Sequence, residues 1–232
     1  MRSALQRGKP ILCYITDRHT ISEGSVGESS EGFGDLIEAV ARSGVDWIQI
    51  REKDMTGRAL SLLVRDAERR MAKLKTKGAR PRILVNDRLD VAVAEGAGGV
   101  HLAESSLPVA EALRLLATER PGVKPLEDFL VGISTHSRTA ARAAAEAGAD
   151  YVIFGPVFPT PSKAVFGQPQ GLEKLREVCV AVKIPVLAIG GIRLENAASC
   201  VQAGAAGVAA IRLFQNAANP EDVVRRLRGQ LR

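Results

Sequence analysis

Short apolar runs alternate with longer amphipathic stretches along the whole chain. Ile11–Ile15 is the first run, and Asp46–Ile50, Ile83–Val85, Gly99–Leu102, Phe129–Ile133, Tyr151–Phe154, Pro185–Ile189 and Gly207–Ile211 repeat the theme. Each is too short for a helix and lacks polar alternation, the pattern of strands buried on both faces. Between them the apolar spacing shifts to the helical period. Phe33, Leu36, Ile37 and Val40 recur at that spacing before Gly44, and leucines among alternating charges do so over 58–74. A helix is expected from the end of the third run to Glu95, another after Pro108 as its first residue, and an alanine-rich one before Gly148. Leu172–Val182 and the Leu194, Ala197, Ala198, Val201 set follow, and a last helix opens with Asn219 as N-cap, Pro220, Glu221 and Asp222.

Eight strand–helix alternations predict an α/β fold, a single (βα)8 TIM barrel spanning residues 1–232 as one domain. The alternative, a doubly wound open sheet, lacks its GxGxxG after the first strand. Several units share a junction between helix and strand: Gly44-Val-Asp, Gly96-Ala-Gly-Gly, Gly148-Ala-Asp and Gly204-Ala-Ala-Gly. A glycine there ends the helix in a left-handed conformation. The Gly/Ser-rich Asp17–Gly32 stretch is far longer than a usual connection between strand and helix, and with Gly155–Pro169 it is expected to form a mobile lid.

In a parallel barrel the C-terminal ends of the strands open on one face, where chemistry is done. The residues that follow the runs are unusually polar: Arg51 and Lys53, Asn86 and Asp87, His101 and Glu104, Ser134 and His136, Thr160, Ser162 and Lys163, and Arg212. A strand that empties into Gly155-Pro-Val-Phe-Pro-Thr-Pro-Ser-Lys163 reads as an anion site, its prolines limiting the entropy lost on meeting a phosphate. Gly190-Gly191 and Ile211-Arg212, after the seventh and eighth runs, sit where barrels commonly hold a phosphate. Arg51, Lys53 and Lys163 suit a more highly charged group such as a diphosphate. Asp87 offers a hard oxygen ligand for Mg2+, which needs only one or two carboxylates beside substrate phosphates. Structural readings stand beside these: Asp87 is also placed to cap the next helix, and Lys53 to pair with a surface acid.

Composition narrows the field. With 46% hydrophobic and 25% charged residues the 232-residue chain is an ordinary globular protein, and no apolar run approaches the roughly 20 residues of a membrane span. Three cysteines, Cys13, Cys179 and Cys200, show no CxxC spacing and are expected as reduced thiols in a cytoplasmic protein. The net charge of +6 admits anionic metabolites or nucleic acid. The densest basic run, Arg69–Arg82, has no aromatic residue for base stacking and reads as a solvated helix end, so neither nucleic acid nor membrane is an expected partner. A homo-oligomer is left open.

The motifs Ile48-Gln-Ile-Arg-Glu-Lys53, Val85-Asn-Asp-Arg88, Gly99-Val-His-Leu102, Val131-Gly-Ile-Ser134, Gly148-Ala-Asp-Tyr151, Gly155–Lys163 and Ala188-Ile-Gly-Gly-Ile192 together resemble the thiamine phosphate synthase/TenI family along nearly the whole chain. The resemblance implies a transferase of (βα)8 fold that joins hydroxymethylpyrimidine diphosphate to thiazole phosphate and releases diphosphate. It further implies that Gln49, Arg51, Lys53, Asn86, Ser134 and Lys163 hold the pyrimidine diphosphate, and that Asp87 ligates Mg2+. Thr160, Ser162, Gly191 and the Ile211-Arg212 backbone would hold the thiazole phosphate, with Gly190 and His101 completing the substrate-binding set. Two positions depart from the synthase pattern: Ser106 stands where a second metal-binding aspartate is usual, and Arg212 where a serine is usual. The TenI branch, similar to a metal-independent thiazole tautomerase, uses a histidine after the fifth strand, where His136 sits. A non-catalytic binder of thiazole or thiamine phosphate is the third class.

Overall fold

The computed structural model describes residues 8–21, 30–75, 79–118, 128–160 and 168–231. Eight strands, β1 (Ile11–Ile15), β2 (Trp47–Ile50), β3 (Arg82–Asn86), β4 (Gly99–Leu102), β5 (Leu130–Thr135), β6 (Tyr151–Phe154), β7 (Val186–Ile189) and β8 (Gly207–Ala210), close into one barrel in sequence order. Every neighbouring pair is parallel, including the β8–β1 closure. Around it run α1 (Ser30–Arg42), α2 (Gly57–Lys73), α3 (Leu89–Ala94), α4 (Val109–Ala117), α5 (Arg138–Glu146), α6 (Gly171–Ala181), α7 (Ala197–Gln202), the short α8 (Arg212–Gln215) and α9 (Pro220–Gln230). The expected eightfold alternation is the observed one.

Alternation along each strand divides the apolar residues into two cores. Cys13, Ile15, Trp47, Leu84, Leu130, Tyr151, Ile153, Leu187 and Ala209 fill the inside of the barrel. Ile48, Ile50, Val85, Val100, Val152, Ala188 and Val208 face outward into the helices. Burial of each large side chain stabilises by about 1.5–3 kcal/mol, so the two-sided burial explains why the strands read as continuous apolar runs. One glycine sets the shape of the interior. A Cβ on Gly132 would lie 2.0 Å from the Tyr151 ring, so only glycine on β5 admits that ring to the barrel centre.

The repeated junction has the geometry its glycines suggested. Gly96, Gly148 and Gly204 adopt φ of 68°, 94° and 105°, and the amides of Ala97, Ala149 and Ala205 reach back to the carbonyls of Ala92, Ala144 and Cys200, satisfying the helix ends. In two junctions the aspartate then staples the lower rim. Asp46 accepts the Leu12 amide at 2.8 Å and Asp150 the Val131 amide at 2.8 Å, each from the neighbouring strand.

Three local expectations change. Pro108 is the N-cap residue of α4 rather than its first helical residue. Arg212 opens a helical turn, α8, whose buried Gln215 accepts hydrogen bonds from the Tyr14 hydroxyl (3.0 Å) and the Asp17 amide (3.2 Å), and donates to the Asp17 carbonyl (2.8 Å) and Thr20 hydroxyl (3.1 Å). The start of the expected lid, Asp17–Thr20, is therefore pinned to the barrel, with Arg18–Thr20 forming a 3-10 turn; residues 22–29 of that stretch lie outside the described residues. Cys13, Cys179 and Cys200 are free thiols, and burial raises Cys179 to about 11 and Cys200 to about 12.

Candidate active site

The alternation that turns Trp47, Leu84, Leu130 and Tyr151 inward also turns Gln49, Asn86, His101 and Ser134 inward, higher in the barrel. Asn86 pairs in register with His101, His101 with Gly132, and Ser134 with Ile153. Largely apolar side chains seal the levels below, so apart from His101, which also meets the Tyr151 hydroxyl beneath it, these polar groups face the C-terminal mouth. Gln49 is 1% exposed, and its buried Nε2 has no hydrogen-bond partner among the described residues. A dry amide donor costs about 1–3 kcal/mol, so Gln49 Nε2 is a group at the mouth with a hydrogen bond still to make.

The end of β2 is held from below. The Arg51 amide donates to Thr16 Oγ1 at 3.0 Å, and that hydroxyl donates to Glu52 Oε1 at 2.6 Å. Glu52 Oε2 accepts from the Arg18 amide at 3.2 Å and its guanidinium at 3.1 Å. Arg18 also forks onto Asp54, whose carboxyl it holds down to about 2, and His19 Nε2 lies 3.0 Å from the same carboxylate. The Arg51 guanidinium stays partly exposed at the mouth, 3.7 Å from Asp17, and Lys53 is exposed beyond it. Sequence reasoning missed Thr16, Arg18, Glu52 and Gln215. The only trace of Glu52 was its place between two cations that the site was already expected to use.

Asp87 takes φ of 58°, left-handed for a non-glycine residue, at a cost of roughly 1–2 kcal/mol that aspartate bears better than most. The turn is fixed on all sides. Its amide donates to the His101 carbonyl at 2.9 Å, Oδ1 accepts the Ala103 amide at 2.7 Å, and Oδ2 accepts Asn86 Nδ2 at 3.0 Å. Each carboxylate oxygen keeps a further lone pair, so the donor chemistry fits one carboxylate ligand to a hard cation. Among the described residues no group of three or more metal-ligating side chains forms. Glu104 turns instead toward His136, with 3.9 Å between Oε2 and Nε2.

His101 lies deeper than a strand-end histidine suggests. It is 2% exposed, stacks on Tyr151 with centroids 5.6 Å apart, and has both nitrogens engaged: Nδ1 at 3.1 Å from the Tyr151 hydroxyl, Nε2 at 2.9 Å from Ser134 Oγ. Burial pushes its imidazole down to about 3, the Arg51 charge adding to this and Asp87 opposing it, so the ring is neutral near pH 7. His136, by contrast, is half exposed, its Nδ1 at 2.5 Å from the Gly155 carbonyl. That contact makes Nδ1 the protonated nitrogen and leaves Nε2 as the basic one.

After β6 the chain lies directly on the end of β7. The Val157 amide donates to the Ile189 carbonyl at 2.8 Å and the Phe158 amide to the Gly190 carbonyl at 3.0 Å. Gly190 and Gly191 both have positive φ, 95° and 63°, and a Cβ on either would meet Pro156 at 2.4 Å or the Pro159 carbonyl at 2.5 Å. The glycine pair thus seats the loop of the expected anion motif, and Asn196 braces it through the Gly191 carbonyl at 2.9 Å. Thr160 is half-buried in this loop; Ser162 and Lys163 lie outside the described residues, as does the rest of 161–167. Ile211 ends the inward series on β8, and the Arg212 side chain is exposed beside it.

The chain matches the thiamine monophosphate synthase family model over residues 12–214. A putative thiamine-phosphate synthase of Geobacter sulfurreducens is 41% identical over 219 residues, covering 93% of this chain and 92% of that protein. A thiamine-phosphate synthase of a Roseiflexus species is 38% identical over 220 residues, covering 95% and 84%. The solved thiamine phosphate pyrophosphorylase of Pyrococcus furiosus superposes with a TM-score of 0.77 at 29% identity, covering 97% of this chain and 96% of that one. With the family model matched over residues 12–214, and relatives about 40% identical over almost its full length, the chain belongs to the thiamine monophosphate synthase family.

Proposed function

We infer that this protein is a thiamine-phosphate synthase, joining hydroxymethylpyrimidine diphosphate to thiazole phosphate with release of diphosphate. The observation that carries the reading is the mouth of this family member: a Gln49 amide unpaired among the described residues, Asn86 bonded to a left-handed Asp87, and Arg51 anchored through Thr16. The pyrimidine C–O bond breaks with its electron pair leaving on diphosphate, and the thiazole nitrogen attacks the resulting stabilised cation. The chain therefore has two tasks: neutralising a growing negative charge and keeping water from the cation.

Gln49 and Ser134 supply hydrogen bonds at the inner end of the mouth, where a pyrimidine ring would meet the apolar floor. Arg51 and Lys53, with Lys163, supply positive charge for the diphosphate. Asp87 would hold Mg2+, with Asn86 orienting its carboxylate, and the ion would supply charge stabilisation to the leaving group. Gly190–Gly191, Ile211–Arg212 and Thr160, with Ser162, form the place for thiazole phosphate. The reading needs no general base, and the chain's three free cysteines suit a cytoplasmic enzyme.

A second reading, thiazole tautomerase, is favoured by one observation. His136 has its Nδ1 fixed on the Gly155 carbonyl and its Nε2 turned outward, a geometry suited to moving a proton. Purified protein assayed with both synthase substrates and Mg2+, beside a thiazole carboxylate isomerisation assay, separates the two. Metal-dependent formation of thiamine phosphate is the expected result. Metal-independent isomerisation abolished by His136→Ala, with no condensation, would replace it.

A further inference from the structure

The Tyr151 hydroxyl is fully buried at the barrel centre, and His101 Nδ1 at 3.1 Å is the only hydrogen-bond partner that the described residues give it. The ring has no freedom to seek another. It is wedged against Trp47, with centroids 4.7 Å apart, stacked on His101, and seated over the hollow left by Gly132. A phenol has one proton to donate, and a neutral imidazole has one nitrogen that donates and one that accepts. If Nδ1 carried the imidazole proton, the Tyr151 proton would be left dry in an apolar interior, the costlier of the two defects. Tyr151 therefore donates to Nδ1, the imidazole proton sits on Nε2, and Nε2–H donates to Ser134 Oγ at 2.9 Å. The Ser134 proton is then the one donor in the chain not consumed within it.

We propose that Tyr151 is a positioning residue which, through the tautomer of His101, commits the partly exposed Ser134 hydroxyl to donate into the mouth. It thereby selects a ligand that presents an acceptor there, such as a pyrimidine ring nitrogen or an anionic phosphate oxygen, over one that presents a donor. The identity of the ligand rests on the synthase reading; the direction of the chain does not.

The test starts with the full-length protein carrying 15N-labelled histidine. The resonances of His101 are identified by their loss in His101→Gln, which separates them from His19 and His136. In the wild type, His101 is expected as the Nε2-protonated tautomer, and a dominant Nδ1-protonated form overturns the proposal whatever the protein catalyses. Tyr151→Phe keeps the ring in its seat and removes only the hydroxyl, so the margin of the Nε2-protonated form should shrink and the Nδ1-protonated fraction should rise above its wild-type level. In the synthase assay this variant should raise KM for the pyrimidine diphosphate roughly fivefold to tenfold, with kcat within about twofold. Ser134→Ala should raise the same KM roughly tenfold in the wild type but far less in the Tyr151→Phe background, because both changes remove one interaction. Fully multiplicative effects would show that Tyr151 acts on packing alone and overturn the proposal. The NMR result stands even if condensation is never observed, so failure of the synthase reading and failure of the proton chain are told apart.

Discussion

The two rims of the barrel carry aspartates that do opposite things. On the lower rim, Asp46 is spent on structure: it takes the Leu12 amide at 2.8 Å, Lys9 at 3.0 Å and Arg228 at 2.5 Å. Arg228 in turn gathers the carbonyls of Pro10 and Gly44, tying α9 across the β1 and β2 starts. On the upper rim, Asp87 is forced into a left-handed turn, the Gln49 amide has no partner, and His136 stands half in solvent. Such features persist only where the surroundings over-determine them; the lower rim has one left-handed residue too, Asp128 before β5, but only the upper rim joins such a turn to the unpaired Gln49 donor. The lower rim spends its polar groups on closure, and the upper rim withholds them for the ligand.

The contrast breaks first at Asp87. Asn suits a left-handed turn and still accepts from the Ala103 amide, so Asp87→Asn should unfold within about 1 kcal/mol of the wild type. It loses the charge proposed to anchor Mg2+, so kcat should fall roughly a thousandfold, and raising the metal concentration should restore only part of it. A variant with near-normal kcat at limiting Mg2+ would show that Asp87 is another staple. Asp46→Ala should give the mirror image. It leaves the Leu12 amide and the Arg228 guanidinium short of an acceptor, and denaturant unfolding should show a loss of about 3 kcal/mol. The kcat of the folded protein should not change.

Acid sharpens the comparison at the level between the rims. The His101 pKa lies at about 3 in the folded protein, below its unfolded value near 6.5. Between those values the unfolded chain binds the extra proton, so stability is full above about 6.5 and falls as pH drops toward 3. The slope is about 1.4 kcal/mol per pH unit, giving His101 a share of about 2 kcal/mol in the stability lost between pH 7 and pH 5. Unfolding curves of wild type and His101→Gln at both pH values isolate that share. Equal pH dependence in the two proteins would mean that protons reach the ring without opening the barrel.

What the sequence displayed of this arrangement follows from which forces are local. Eight apolar runs and the glycines after the helices are local signals, and they place every strand and hence every residue at a strand end. Arg51, Asn86, Asp87 and Ser134 could be found because the C-terminal face collects whatever follows each run. Strands buried on both faces carry no polar alternation, however, so nothing marked Tyr151 as interior or sank His101 beneath Ser134. The Gln215 clamp joins residues 198 positions apart in the chain, and Gln215 lies in a four-residue helix without apolar periodicity to announce it. Thr16 and Glu52 were hidden for a related reason: their role is to hold one another, and it appears only when β1 and β2 lie side by side. The same applies to Asp87, whose left-handed turn is made by bonds to His101 and Ala103 on the next strand.

The smallest expected effect tests the comparison most directly, because its two readouts should move in opposite directions. Gln49→Leu removes a buried amide whose Nε2 has no partner and replaces it with an apolar side chain of similar size on a floor already lined by Ile15, Trp47 and Leu84. A staple would lose stability on such a change, as Asp46 should. An amide held for a ligand should instead gain, because the unmet donor is deleted while apolar contact is kept; a gain of about 1 kcal/mol is expected from denaturant unfolding. The KM for the pyrimidine diphosphate should rise roughly tenfold, since one hydrogen bond to the ligand is lost. The thiazole phosphate KM should hardly change, the place proposed for it lying against β7 and β8. A Gln49→Leu protein that is less stable and binds the pyrimidine normally would make Gln49 part of the scaffold, and the division between the two rims would then fail at the position where it predicts the clearest reversal.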